Sequence, residues 1–214
     1  MRRLLGRDFR LARTAAGTFW MASVVFLVIC SLFAISLGGT TQILSALAPS
    51  VVWASAVLAS TMTASSVFSD DHVSGAIDYL RLEGHSLTSI VMSKIIVTTL
   101  ILLSPLLASA AIASEMFGLN FQTTSSLLWS LLLGGPALIG YSVFAGALLT
   151  GWGRGNLLAL LLTIPLMLPT VIFGEAAASS DTFSTEHQAL IGLSLISIVL
   201  SVVASSAALA VNAE

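Results

Sequence analysis

The sequence predicts an all-α polytopic membrane protein with six transmembrane helices. It adds an interfacial amphipathic helix at the N-terminus and a second amphipathic helix between spans two and three. Three observations carry that reading. Only 8% of the 214 residues are charged and 57% are hydrophobic, whereas a soluble domain carries about 25% charged residues. No Lys, Arg, Asp or Glu occurs from Thr14 to Ser69, from Ile95 to Ser114, or from Met116 to Gly153. All 8 Lys and Arg residues fall in the N-terminal segment or at the second and fourth connections, which six spans put on one side. Too few ionic side chains exist to cover a surface facing water, which excludes a soluble enzyme, a nucleic-acid binder and a disordered chain. No segment alternates apolar and polar residues as a barrel strand does.

At the N-terminus, residues 1–16 place Leu5, Phe9, Ala12 and Ala16 at helical spacing, with Arg3, Arg7 and Arg10 on another stripe. That pattern fits a helix lying among anionic headgroups. A plain positive-inside anchor explains the same arginines. Crossing the ~30 Å hydrocarbon layer takes about 20 apolar residues. Six segments supply them in one membrane domain spanning residues 1–214: Phe19–Leu37, Ala46–Phe68, Ser89–Ala113, Leu127–Thr150, Asn156–Gly174 and Gln188–Val211. The first is too long for a signal-peptide core and reads as an uncleaved span. Arg2, Arg3, Arg7, Arg10 and Arg13 precede it, Arg81 and Lys94 flank the second connection, and Arg154 lies in the fourth with Gly151, Gly153 and Gly155. The opposite connections, including the one with Asp181, contain no Lys or Arg. Both termini are therefore expected in the cytoplasm.

Pro105, Gly134-Gly135-Pro136, and Pro165 with Pro169 are expected to interrupt or bend their helices. Ser194, Ser197, Ser201, Ser205 and Ala208 form a small-residue stripe on the last span. Close helix packing and a transport pathway both account for it.

Residues 69–84 read as one short amphipathic helix, with Val73, Ala76, Ile77 and Leu80 at i, i+3, i+4 and i+7. Ser69 is the expected N-cap, Phe68 would staple onto Val73, and Gly84 stops the helix. The apolar stripe must be covered by lipid, by the protein's own bundle or by a soluble partner, and periodicity leaves that choice open.

The chain has no G-x-x-x-x-G-K-[ST] phosphate loop, so it cannot hydrolyse ATP by that route. It has no C-x-x-C-H, H-E-x-x-H or C-x-x-C motif, and the single Cys30 permits no internal disulfide. No metal or cofactor site is expected on the chain itself. His72, His85 and His187 all fall outside the middle of a span, so His187 is either a solvated interfacial side chain or a single axial haem ligand. Lys94, Glu115 and Glu175 sit near span ends, where they can snorkel to water. That placement argues against an ion-coupled carrier, which keeps ionisable groups inside the membrane.

The stretch Ala48-Pro49-Ser50-Val51-Val52-Trp53, then Phe68-Ser69-Asp70-Asp71 with Gly75, Ile77, Asp78 and Leu80, resembles the haem exporter protein B family (CcmB). Leu132-Leu133-Gly134-Gly135-Pro136, Arg154-Gly155 and Ile164-Pro165-Leu166-Met167-Leu168-Pro169 are similar to that family's second half. Two departures occur: the family often has Glu where Asp78 stands, and a proline turn in place of Glu83-Gly84-His85. The resemblance implies a type-2 ABC exporter permease of the bacterial inner membrane. It also implies a partner CcmA-type ATPase, CcmC- and CcmD-type membrane subunits, and indirectly a CcmE-type haem chaperone. ATP would sit on the partner, and the complex would handle haem. Phe68–Leu82 is then expected to be the coupling helix in a groove of the ATPase, with Phe68, Asp71, Val73, Gly75, Ile77, Asp78 and Leu80 as its site residues. Val73, Ile77 and Leu80 would be the apolar anchors, and Asp71 and Asp78 would position them. A permease for lipid, polysaccharide or drug would share this helix, and a scaffold or carrier needing no ATPase is a third reading.

Overall fold

The computed structural model describes residues 2–14, 16–37, 41–150, 156–180 and 184–211, which form helices and no strand. In chain order they are α1 (Arg2–Thr14), α2 (Ala16–Leu37), α3 (Thr41–Met62), α4 (Ala64–Val73), α5 (Ala76–Leu82), α6 (Leu87–Met116), α7 (Phe121–Leu149), α8 (Asn156–Ala178) and α9 (Thr185–Val211). Six helical stretches are long and apolar enough to cross a membrane: Gly17–Leu37, Gln42–Val73, Leu87–Met116, Phe121–Leu149, Leu161–Ala178 and Thr185–Val211. They match the six expected spans, and most extend beyond the apolar segments. Arg154, with Gly151, Gly153 and Gly155, and Asp181 lie outside the described residues.

The bundle is organised around α7, which packs on α9, α8, α6, α4 and α3. Small residues on its faces explain that centrality. A Cβ on Gly134 would lie 2.6 Å from the Trp53 ring, and one on Gly135 would lie 2.6 Å from Leu103. On Gly146 a Cβ would lie 2.5 Å from the Ala64 carbonyl oxygen. Each glycine therefore admits a neighbour to backbone distance, the geometry that favours association where lipid is as apolar as the side chains. On the α9 face, Ser201 fills the space beside Gly140, and the Tyr141 hydroxyl donates to Ser197 Oγ at 3.0 Å. The serine stripe is thus a packing seam between α7 and α9.

Trp53 is the hub of the opposite half. Its indole is fully buried, donates from Nε1 to Ser130 Oγ at 3.2 Å, and lies between Gly134 of α7 and Gly174 of α8. Pro49, Pro105, Pro136, Pro165 and Pro169 all lie within continuous helices. The expected interruptions do not occur, since neighbouring helices and local adjustments compensate for the missing backbone donor in a bundle of this kind.

Between α3 and α4 the span breaks at Thr63 without ending. Ser60, Thr63 and Ser66 each donate a hydroxyl hydrogen bond to the carbonyl three residues back, at 2.7–2.8 Å. Such back-bonding bends helices, and here it delivers α4 against Gly146 of α7.

Candidate functional site

Residues 69–84 depart from the single helix expected. α4 runs through Ser69 to Val73, Ser74 and Gly75 form a turn, and α5 begins at Ala76. Gly75 adopts φ +66°, ψ +16°, a left-handed conformation that costs other L-residues about 1–2 kcal/mol. Its N–H donates to the His72 carbonyl at 3.1 Å, and Ser74 Oγ donates to the Asp70 carbonyl at 2.6 Å. At the far end Gly84 (φ +87°) donates to Arg81 O and His85 to Leu80 O, both at 3.0 Å. That is the double-bonded glycine stop expected from sequence. The result is an elbow: the tip of span two, a glycine turn, and two helical turns folded back. Gly75→Val is expected to cost about 1–2 kcal/mol locally. It should speed hydrogen exchange in residues 76–82 while leaving the α7–α9 seam unchanged.

Ser69 therefore caps no helix, and Phe68 does not staple onto Val73. Phe68 is buried against Gly146, while Val73 is 87% exposed. The expected anchors divide in the same way. Ile77 and Leu80 are buried within this chain, Leu80 beside Leu4 and Ile90. The apolar groups left outward are Val73, Tyr79 at 63% and Leu82 at 87%. Asp78 is exposed in the first turn of α5, where its charge suits the helix dipole. Glu83 accepts the Tyr79 hydroxyl hydrogen bond and adds its charge nearby, which raises the phenol above its ordinary value. Tyr79 thus stays a neutral aromatic at physiological pH.

Asp71 does not face outward. It is 3% exposed and lies at the centre of a charge cluster that joins three elements. Its Oδ1 is paired with Arg7 of α1, and its Oδ2 lies 2.5 Å from Lys94 Nζ of α6. Lys94 also sits 3.8 Å from Asp8 Oδ1, and Arg7 Nη1 lies 3.1 Å from the same oxygen. Ser93 donates its hydroxyl to Asp8 Oδ2 at 2.5 Å. Lys94 Nζ stands 5.9 Å from the Phe68 ring centroid, within cation–π range. Two carboxylates and two cations leave the cluster formally neutral, as low-dielectric burial requires. A carboxylate near the C-terminal end of α4 opposes the helix dipole, and Arg7 and Lys94 offset that.

The expectation that Lys94 snorkels to water is corrected, because its ammonium is buried between two carboxylates. Arg7 likewise pairs with protein rather than standing free for lipid. Among the described side chains of α1, Leu4 and Asp8 are buried and Ala12 is partly buried, while Phe9 is exposed. Asp8 was not legible as a site residue. The signal available was its place one turn from Leu4 and Ala12, as the sole acid on an otherwise basic helix.

Elsewhere, Glu115 is exposed, and Glu175 is half-buried and accepts a hydrogen bond from Ser50. His187 is not solvated: it is buried, and its Nδ1 shares a 3.1 Å contact with Ser184 Oγ. His72 is exposed and His85 half-exposed.

Six membrane-length helices, an elbow joining the second to the third, and a charge cluster beneath it define a polytopic helical membrane protein. The family model described as "CcmB protein" matches residues 1–212. The chain belongs to the CcmB family. It is 35% identical to the "Heme exporter protein B" of Paracoccus denitrificans, over 99% of both chains. It is 32% identical to that of Rhodobacter capsulatus, over 99% of both, and 30% identical to that of Bradyrhizobium diazoefficiens, over 96% and 95%.

Proposed function

We infer that this chain is the membrane component of an ABC-type haem export complex serving c-type cytochrome biogenesis. The observation that carries the reading is similarity over essentially the whole length to proteins described as Heme exporter protein B. A type-2 exporter for lipid, polysaccharide or drug is not favoured by those relatives. As a transporter component without a phosphate loop, the chain depends on a partner for nucleotide chemistry.

The finer reading is that a CcmA-type ATPase docks on the elbow, with CcmC- and CcmD-type subunits in the membrane and a CcmE-type chaperone receiving haem. On this reading ATP sits on the partner subunit, and haem is handled by the complex as a whole. Two observations support docking at the elbow. Val73, Tyr79 and Leu82 are exposed apolar groups in a segment beyond the apolar part of the span. Arg7, Arg10, Arg81 and Lys94 gather at that same end, which the positive-inside rule assigns to the cytoplasm of a bacterial inner membrane. Asp70 and Asp78 are also exposed there.

The test follows from exposure. Tyr79→Asp with Leu82→Asp is expected to abolish co-purification of the ATPase subunit in mild detergent while the chain still inserts and remains monodisperse. Undiminished co-purification would refute docking at the elbow. Ile77→Asp with Leu80→Asp is the less informative pair. Burying two carboxylates, one in the main core and one against α1 and α6, unseats α5 and loses the partner indirectly.

A further inference from the structure

The elbow is too short to hold its own shape. α5 has 7 residues, and an isolated helix below about 12 residues is marginal in water. Its neighbours must fix its angle to α4: α7 seats α4 through Phe68 and Gly146, and α1 and α6 brace the elbow in two parallel rungs. The apolar rung is Leu4 of α1, Ile90 of α6 and Leu80 of α5. The polar rung is Asp8 of α1, Lys94 of α6 and Asp71 of α4. Leu4 and Asp8 are four residues apart, as are Ile90 and Lys94, so each helix presents both rungs on one face. One rung grips the elbow on each side of the Gly75 turn.

We propose that Asp8 and Lys94 are positioning residues that set the elbow's geometry. Ser93 orients Asp8, Asp8 steadies the Lys94 ammonium, and Lys94 holds Asp71 Oδ2 four residues before the turn. Arg7, the neighbour of Asp8 on α1, takes the other oxygen of Asp71. Each oxygen of the carboxylate thus faces a cation from a different helix, which restrains Asp71 and with it the approach of α4 to the turn. Docking at the elbow gives this role its use, but the geometry itself is measurable in the chain alone.

The test is hydrogen exchange on the full chain in mild detergent, comparing residues 74–82 with residues 97–113 of α6. Asp8→Asn with Lys94→Gln removes one charge of each sign and leaves the Arg7–Asp71 pair, so the cluster stays neutral. Exchange in 74–82 is expected to rise about tenfold or more, with 97–113 unchanged within about twofold. Lys94→Arg, which keeps the charge and its donors, is expected to restore protection. Ser93→Ala disturbs only the orientation of Asp8 and keeps the proposal testable should the double variant fail to fold. It is expected to raise exchange in 74–82 by about two- to threefold. Unchanged exchange in 74–82, or an equal rise in 97–113, would overturn the proposal. Neither result depends on the ATPase, whose co-purification with the unaltered chain tests the docking reading separately.

Discussion

Replacing Asp71 with alanine is expected to be among the most damaging single changes available to this chain, costing about 3–5 kcal/mol. The reason is the imbalance left behind. Arg7 and Lys94 would face a single carboxylate, Asp8, and Lys94 is buried. Removing one partner of a buried ion pair costs more than the pair contributes when intact, because the remaining charge keeps its desolvation penalty. The measurement is heat-induced loss of the monodisperse species in detergent, with the unaltered chain alongside. Asp71→Ala combined with Lys94→Met removes one charge of each sign and should recover much of the loss. Were the double variant to fall by the sum of the two single effects, the ion-pair account would fail.

The second large effect is expected at Trp53. Trp53→Ala empties the fully buried site between α7 and α8 and should cost about 3–5 kcal/mol. Gly174→Ala acts from the other side. Its Cβ would lie 2.2 Å from the indole, so the ring must leave its seat and its bond to Ser130, at a cost of about 1–3 kcal/mol. The two costs should not add, because without the indole the alanine methyl has room and fills part of the cavity. The same detergent melting measurement, run on both single variants and the double, reads that coupling directly. Strict additivity would mean that the ring is not wedged between the two helices.

Much of the architecture was legible. The six spans follow from uncharged runs of membrane length, a signal that depends on each segment alone. The Gly84 stop was equally local, since a left-handed residue after a helix is a property of a few adjacent positions. The residues of the family resemblance were visible too, but their roles were not. Pro49 to Trp53 and Gly134 to Pro136 are remote in sequence, and only packing shows that Trp53 sits against Gly134.

The candidate site was half legible. An amphipathic segment between spans two and three was readable from spacing, with the charged residues Asp70 and Asp71 in its expected first turn. In the structure those residues finish span two instead. A span can run on past its first charges where a buried one finds partners, and Asp71 has two, supplied by α1 and α6. The expected anchors divided for a related reason. Periodicity identified one apolar stripe, Val73, Ala76, Ile77 and Leu80, and the chain's own bundle covers Ile77 and Leu80 while Val73 stays exposed. The other apolar residues left for a partner, Tyr79 and Leu82, lie off that stripe.

Composition and order of residues were enough to determine that this protein crosses a membrane six times and carries its cations toward one end. Those properties are sums over single segments, set by the transfer of side chains from water to lipid. Only the tertiary structure decided that Asp8, Asp71 and Lys94 share one buried cluster and that the elbow turns at Gly75. Ion pairing depends on distances between segments far apart in the chain, and no local pattern encodes a distance of that kind.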